Sequence, residues 1–159
     1  MEYLDNMFDQ FSQAFLGIMD GEGDIPDRAS LNVAALDYSP KSLKAVDNYL
    51  NIIYKSHKEL SDIEYQNIVV WAGAYVGEVI RRNAVTEYHW INYDDYMKDK
   101  DADRRRILPL TLPTHAFLFS VNFKSVTMPM NKIARWLDEG PDNNVEYYAG
   151  VDIKRTQVS

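Results

Sequence analysis

The 159-residue chain contains no cysteine. This absence excludes disulfide bonds, thiolate metal sites, iron–sulfur clusters and cysteine nucleophiles. A chain without disulfides is compatible with a reducing compartment, and we expect a cytoplasmic protein. Its length is typical of one domain that buries a core without covalent or metal crosslinks. The sequence therefore predicts a single domain over residues 1–159.

Long apolar runs are also missing. The longest apolar-rich stretch, residues 68–80, is followed directly by Arg81 and Arg82 and is shorter than the roughly 20 residues that a helix needs to cross a bilayer. The apolar residues near the N-terminus are interrupted by Asp5 and Asp9, and no basic region precedes them, unlike in a signal peptide. We expect a soluble protein with no membrane-spanning segment and no export signal.

Basic residues are scarce in the first quarter of the chain. Residues 1–37 contain eight acidic side chains and a single basic one, Arg28, whereas the remaining residues are balanced in charge. Nucleic acids attract basic surfaces, so this acidity argues against a nucleic-acid ligand. Charge of one sign steers a protein towards an oppositely charged partner. The sequence therefore predicts a protein partner, a basic one or a second copy in a homo-dimer.

The standard motifs of catalysis and of cofactor binding are absent. The chain has no nucleophile elbow, zinc-protease helix, Walker loop or dinucleotide-binding glycine pattern, and its three histidines lie far apart. Asp20, Glu22 and Asp24 resemble the start of a calcium loop, but Ile25 and Leu31 occupy the positions of the essential glycine and glutamate. We therefore predict no catalytic residue, no metal site and no cofactor.

Two amphipathic helices are predicted in the first part of the chain. Within residues 1–19, apolar side chains recur at helical spacing, namely at Leu4, Met7, Phe8, Phe11, Phe15 and Ile18. An acidic loop at 20–30, rich in glycine and proline, follows this helix. Ser39 is a favourable cap for a second helix that begins at Pro40 and continues to about Lys58.

A third helix is predicted to form the centre of the fold. Ser61 and Glu64 have the spacing of a capping box, which opens a helix that continues to about Asn83. This helix is apolar nearly all round, as is typical of a buried helix. Gly73 and Gly77 reduce its helix propensity, and we expect close approach of the backbone of a neighbouring element to compensate.

The second half of the chain is predicted to form a small sheet and further helical turns. Extended segments are expected at 87–93, 107–112 and 116–123, which together would form an antiparallel sheet. A short C-terminal helix is expected from Pro129 to Gly140, with a last turn at 145–148. The predicted fold class is α+β, with N-terminal helices, one of them central and buried, packed on a small antiparallel sheet.

The candidate site residues lie on and near a narrow polar strip of the central helix. Glu78 and Arg82 are four residues apart, which predicts contact between them on one helix face. The interpretation that we favour is an internal ion pair, since a buried charge needs a partner. Alternatively, both residues form the wall of a pocket that binds a ligand or partner, together with Tyr75 and Trp90.

Three segments resemble an uncharacterised bacterial domain family. They are LDYSPKSLKAVDNYL at 36–50, WAGAYVGEVIRRN at 71–83, and the following Trp90. In that family an S-L-x-x-x-D helix precedes a G-A-Y-x-G-E-x-x-R-R helix, a tryptophan and a small β-rich segment. The similarity covers residues 36–136. It implies a shared architecture and a bacterial origin, and it carries no known activity.

The function predicted from these features is that of a small binding or regulatory module. It would act through protein contacts as an immunity-type protein or an adaptor. Two alternatives stay open: an enzyme of unrecognised type with a cleft around Glu78 and Arg82, and a structural homo-oligomer with a self-complementary apolar surface.

Overall fold

The structure is a computed structural model that describes residues 2–19, 23–98, 109–120 and 125–155. The helices are α1 (Glu2–Phe15), α2 (Leu43–Lys55), α3 (Asp62–Asn67), α4 (Gly73–Asn83), α5 (Tyr93–Met97), α6 (Pro129–Glu139) and α7 (Val145–Lys154). A π-helical segment, Ile68–Ala72, joins α3 to α4 without a break. The strands are β1 (Tyr88–Asn92), β2 (Ala116–Ser120) and β3 (Ser125–Thr127). This is the predicted α+β architecture.

The central helix begins at the predicted capping box. The Ser61 hydroxyl accepts a hydrogen bond from the Glu64 backbone N–H at 3.1 Å, and the Glu64 carboxylate accepts one from the Ser61 N–H at 3.0 Å. The helix continues through α3, the π segment and α4 to Asn83. Every residue from 73 to 80 is buried, because α1, α6, α7 and β1 all pack against α4. The prediction of a central buried helix is confirmed.

The two glycines of α4 allow the close packing that the sequence predicts. A Cβ atom at Gly73 would lie 2.8 Å from the Met130 Cα on α6, so the backbones of the two helices approach each other there. A Cβ atom at Gly77 would instead overlap the indole ring of Trp90. Close backbone approach is therefore confirmed at Gly73, and it is wrong at Gly77, where the neighbour is the Trp90 side chain.

The sheet is antiparallel with the order β1–β2–β3, and Leu118 pairs with both Trp90 and Thr127. The first predicted segment, 87–93, forms a strand over Tyr88–Asn92, and Tyr93 already begins α5. The third is confirmed where it is described; residues 121–123 lie outside the described chain. The predicted strand at 107–112 is wrong for its described residues, 109–112, which form no strand. Residues 109–112 form a turn that the Thr114 hydroxyl stabilises. This hydroxyl accepts a hydrogen bond from the Thr111 N–H at 2.8 Å and donates one to the Pro109 carbonyl at 2.7 Å.

Several helices differ in length from the prediction. Helix α1 ends at Phe15 because Gly17 has φ 77°, a left-handed conformation that ends the helix. Helix α2 begins after a 3₁₀ turn at Pro40–Ser42 and ends at Lys55. Helix α6 has the predicted bounds. Helix α7 is longer than the predicted turn at 145–148, because Asp47 on α2 accepts hydrogen bonds from its first two backbone N–H groups at 2.8 and 3.1 Å.

No helix among the described residues is both long and apolar enough to cross a membrane.

Candidate binding site

Glu78 is the buried centre of a polar cluster on α4, with 1% of its surface exposed. The Arg81 guanidinium contacts both carboxylate oxygens, at 3.0 and 3.1 Å, and the Trp90 indole N–H donates to the same carboxylate at 3.2 Å. Burial raises the pKa of Glu78, while the charge of Arg81 acts in the opposite direction. Glu78 therefore belongs to an internal ion pair between residues three apart.

The predicted contact between Glu78 and Arg82 is wrong. The Arg82 Nη2 atom contacts the Asp9 carboxylate of α1 at 2.6 Å, and its guanidinium lies over the Tyr38 ring, 3.6 Å from the centroid. Asp9 and Tyr38 hold the Arg82 guanidinium away from Glu78. Arg81 is the arginine that pairs with Glu78.

Asp5 joins this cluster from α1. One carboxylate oxygen accepts from the Trp90 backbone N–H at 2.7 Å, and the other contacts the Arg81 guanidinium at 3.2 Å and the His89 Nδ1 atom at 2.7 Å. The second ring nitrogen of His89 contacts Glu87 at 2.8 Å. The hydrogen bond with Asp5, and then that with Glu87, raises the pKa of His89 despite its partial burial. The cluster thus attaches the N-terminal half of α1 to β1 and α4.

Much of the acidity of the first quarter is neutralised within the fold. Asp5 and Asp9 pair with arginines of α4, and Asp24 pairs with Arg28 at 2.6 Å. Asp20 and Glu22, the other two acids of the calcium-like pattern, lie outside the described residues. The net charge of this region is therefore a weaker indication of a basic partner than the sequence alone suggests.

The other candidate residues also lie in the interior. Tyr75 and Trp90 are fully buried. The Tyr75 hydroxyl accepts a hydrogen bond from the Tyr38 N–H at 3.0 Å and shares one with the Ser42 hydroxyl at 2.7 Å. The Trp90 ring stacks on Phe8 with centroids 4.0 Å apart. Of the four candidates only Arg82 reaches the surface, and a binding role for the set stays a prediction.

A cavity of about 540 Å³ opens where α1 passes α3 and the π segment; we name it the α1–α3 cleft. Its lining residues are Leu4, Met7, Phe8, Gln10, Phe11, Ala14, Met19, Ile63, Gln66, Asn67, Val70, Trp71, Asn92, Leu112, His115, Ala116 and Met130. None of the four candidate residues from the sequence is among them. Sequence reasoning missed this site, although it identified the apolar stripe of α1 that forms one wall.

The α1–α3 cleft has a buried apolar floor and an exposed apolar rim. Its floor includes Phe8, Trp71 and Met130, each no more than 5% exposed. At the rim, three aliphatic side chains keep about two-fifths of their surface in solvent: Met19 at 39%, Ile63 at 41% and Leu112 at 38%. Large apolar side chains that are grouped and exposed in this way are typical of binding surfaces. The cleft is therefore open enough to admit a ligand from solvent.

Uncharged polar groups complete the lining. The side chains of Gln10, Gln66 and His115 make no hydrogen bond within the described chain, while Asn92 accepts from the Asp95 N–H at 2.7 Å and thereby caps α5. No Asp, Glu, Lys or Arg belongs to the described lining. An apolar cavity with a few free polar groups is the usual composition of a ligand site. The arrangement is suited to binding an uncharged, mostly apolar surface.

The lining does not form a constellation of nucleophile and base. Among the described lining residues His115 is the one titratable side chain, and no group of three His, Asp or Glu side chains in the described ranges could hold a metal ion. Triad chemistry needs a nucleophile, a base within hydrogen-bond reach and an orienting group. Within the described residues, the cleft offers binding contacts rather than reacting groups.

Comparisons with protein-family models, with curated proteins and with solved structures find no match for this chain. The resemblance to a bacterial domain family over residues 36–136, and with it the bacterial origin, stays a prediction.

Proposed function

We propose that the protein is a small binding module that acts through contact with a protein partner, and that the α1–α3 cleft is its contact site. The observation that carries this proposal is the combination of an apolar floor, an exposed apolar rim and an uncharged lining in one cavity. Its volume lies within the range of about 300–1,000 Å³ that is usual for ligand sites. An adaptor or an immunity-type protein would use such a site, and the cytoplasm stays the predicted compartment.

The two alternative functions have less support. The proposed enzyme requires Glu78 and Arg82 at a cleft, but Glu78 is 1% exposed and is paired with Arg81. A homo-oligomer would use the cleft for a second copy of the chain. Light scattering on purified protein tests this alternative, since it predicts a dimer that dissociates when a charge is placed in the cleft.

The cleft is tested with Nile red, a neutral apolar dye whose fluorescence rises when it leaves water. Ile63, on the cleft rim, and Ile52, on α2, are matched because their side chains are exposed to 41% and 43% and both belong to helices. Ile63→Arg places a charge in an apolar site, so we expect dye binding at least about tenfold weaker. Ile52→Arg serves as the control and should bind the dye like the wild type.

The free energy of unfolding of both variants should lie within about 0.5 kcal/mol of the wild-type value, because each variant changes an exposed side chain. Equal dye binding by all three proteins, or binding by none, would contradict the proposal. Loss of dye binding together with loss of the thermal transition would instead indicate unfolding, and Leu112→Arg, at another exposed rim position, then provides the second measurement.

A further inference from the structure

The unpaired charges that flank the α1–α3 cleft among the described residues are acidic. Asp62 directly precedes Ile63 of the rim, and Asp94 lies two residues after Asn92. Both acids are exposed. They form no salt bridge among the described residues, unlike Asp5 and Asp9 of helix α1. Unpaired negative charge therefore borders an uncharged cavity.

Among the described residues no unpaired positive charge balances these acids, because Arg28, which donates to the Ala14 carbonyl of the lining at 3.0 Å, is paired with Asp24. Within the described chain, Lys132 is the one basic residue that lies within two positions of a lining residue. Its ammonium group is directed elsewhere, 3.4 Å from the Asn143 side-chain oxygen and 5.7 Å from the centre of the Tyr148 ring. At physiological salt, screening limits the interaction between exposed charges to about 8 Å. An occupant with positive charge beside an apolar surface would therefore complement both the lining and its border.

The length and walls of the cleft indicate the shape of that occupant. On α1 the stripe of lining residues runs from Leu4 to Ala14, a distance of about 15 Å, or nearly three helical turns. The facing wall is also helical and includes Ile63, Gln66 and Val70. A groove between two helices is the usual receptor for the apolar face of a third. Met7, Met19 and Met130 supply adaptable contacts along it.

We propose that the occupant is an amphipathic helix of a partner protein, about three turns long, with an uncharged apolar face flanked by lysine or arginine. This inference rests on the proposed function and specifies the partner. A small apolar molecule would fill the floor and leave the rim side chains in solvent. A helix covers floor and rim together, and its basic flanks meet Asp62 and Asp94.

The test uses three synthetic peptides of about 12 residues, which is three helical turns. The first has leucines at i, i+3, i+4 and i+7 with lysines on the flanks. In the second, glutamates replace the lysines; the third has the composition of the first in an order that destroys the apolar stripe. Binding is measured by fluorescence anisotropy of the labelled peptide at about 150 mM salt. We expect the lysine peptide to bind at least about tenfold more tightly than either of the others.

Protein variants assign the effect to the cleft and its border. Ile63→Arg should abolish binding of the lysine peptide. The double variant Asp62→Lys, Asp94→Lys should remove the preference for lysine over glutamate flanks and leave Nile red binding unchanged. Asp142→Lys changes an exposed acid that borders no lining residue, and it should retain the preference.

The possible failures are distinguishable. If Nile red binds in an Ile63-dependent manner but the lysine peptide binds no better than the other two, the helical, basic partner is wrong and the cleft holds a small apolar group. If the chain is a dimer that Ile63→Arg dissociates, a second copy fills the cleft and the inference is also wrong. If neither the dye nor any peptide binds, both the proposed function and the inference about the helical partner are wrong.

Discussion

The two halves of the central helix have opposite environments. In α4, residues 73–80 are all buried and the one acid among them, Glu78, has an arginine and a tryptophan as partners. In α3 and the π segment, Ile63 and Gln66 are exposed and Val70 is half-buried, and the Gln66 side chain has no hydrogen-bond partner among the described residues. One helix thus supplies both the closed core and an open binding wall. Glu78 of the closed half has its charge fully partnered, whereas Gln66 of the open half presents its amide to the cleft.

The largest expected effect comes from removing the partnered acid of the closed half. Glu78→Ala leaves Arg81 and the Trp90 indole N–H without their carboxylate, and breaking a buried pair costs about 3–5 kcal/mol. We expect a loss of about 3 kcal/mol in the free energy of unfolding, because Arg81 keeps its contact with Asp5. Urea denaturation measures this loss.

Gln66→Ala is the control from the open half of the same helix, and it should change the free energy of unfolding by no more than about 0.5 kcal/mol. Equal losses for Glu78→Ala and Gln66→Ala would show that the two halves of the helix do not differ as described.

Two glycine substitutions compare a closely packed helical position with an open one. A methyl group at Gly77 would overlap the Trp90 ring, so Gly77→Ala should cost roughly 2–3 kcal/mol, the upper part of the usual range for overpacking. Gly150 lies within α7 and has open space where a Cβ atom would be. Gly150→Ala should therefore stabilise the protein by up to about 1 kcal/mol through helix propensity. Thermal melts that rank the two variants in the reverse order would rule out close packing at Gly77.

A smaller, pH-dependent effect is expected at the attachment of α1. The pKa of His89 is raised in the folded protein above its ordinary value of about 6.5, mainly by the hydrogen bond with Asp5. Protonation is therefore favoured by folding. The stability that His89 contributes is complete below about pH 6.5 and is lost as the pH rises through the folded pKa.

His89→Gln isolates this contribution from the other charges nearby. Burial also raises the pKa of Glu78, Asp5 and Glu87 contact the His89 ring, and Arg81 contacts Asp5. The difference in free energy of unfolding between wild type and variant should be largest below about pH 6.5 and shrink as the pH rises through the raised folded pKa of His89. A difference that does not change as the pH rises above about 6.5 would contradict the protonated form of His89 in the fold.

Local signals made much of the fold predictable. The capping box at Ser61 and Glu64 fixed the start of the central helix, and Pro129 and Gly140 bounded α6 correctly. Two elements, α5 and β3, were not predicted because their local signals are weaker. These signals are the Asn92 cap before α5 and the alternation of Ser125, Val126 and Thr127 in β3. Turns formed by tertiary hydrogen bonds, such as the one at Thr114, have no comparable local signal.

The candidate site was less predictable than the fold. Helical spacing brings both Arg81 and Arg82 near Glu78, and only the positions of Asp5 and Asp9 on another helix decide which arginine pairs with it. The cleft was missed because an apolar stripe has the same period whether a neighbour covers it or solvent reaches it. Leu4, Met7 and Phe11 therefore appeared to be ordinary core residues.

The π segment connects the two halves of the central helix and also sets their relative rotation. Such a segment is equivalent to one residue inserted into an α-helix, and each residue corresponds to about 100° of rotation. Deleting one residue within Ile68–Ala72 would return the whole helix to a uniform α-helical register. Because Gly73 and Gly77 are fixed by their close contacts, α3 would be the part that rotates, and Ile63 would leave the cleft. A single insertion or deletion would thus exchange the residues that a partner meets, at the cost of displacing buried side chains of the π segment such as Ile68 and Val69.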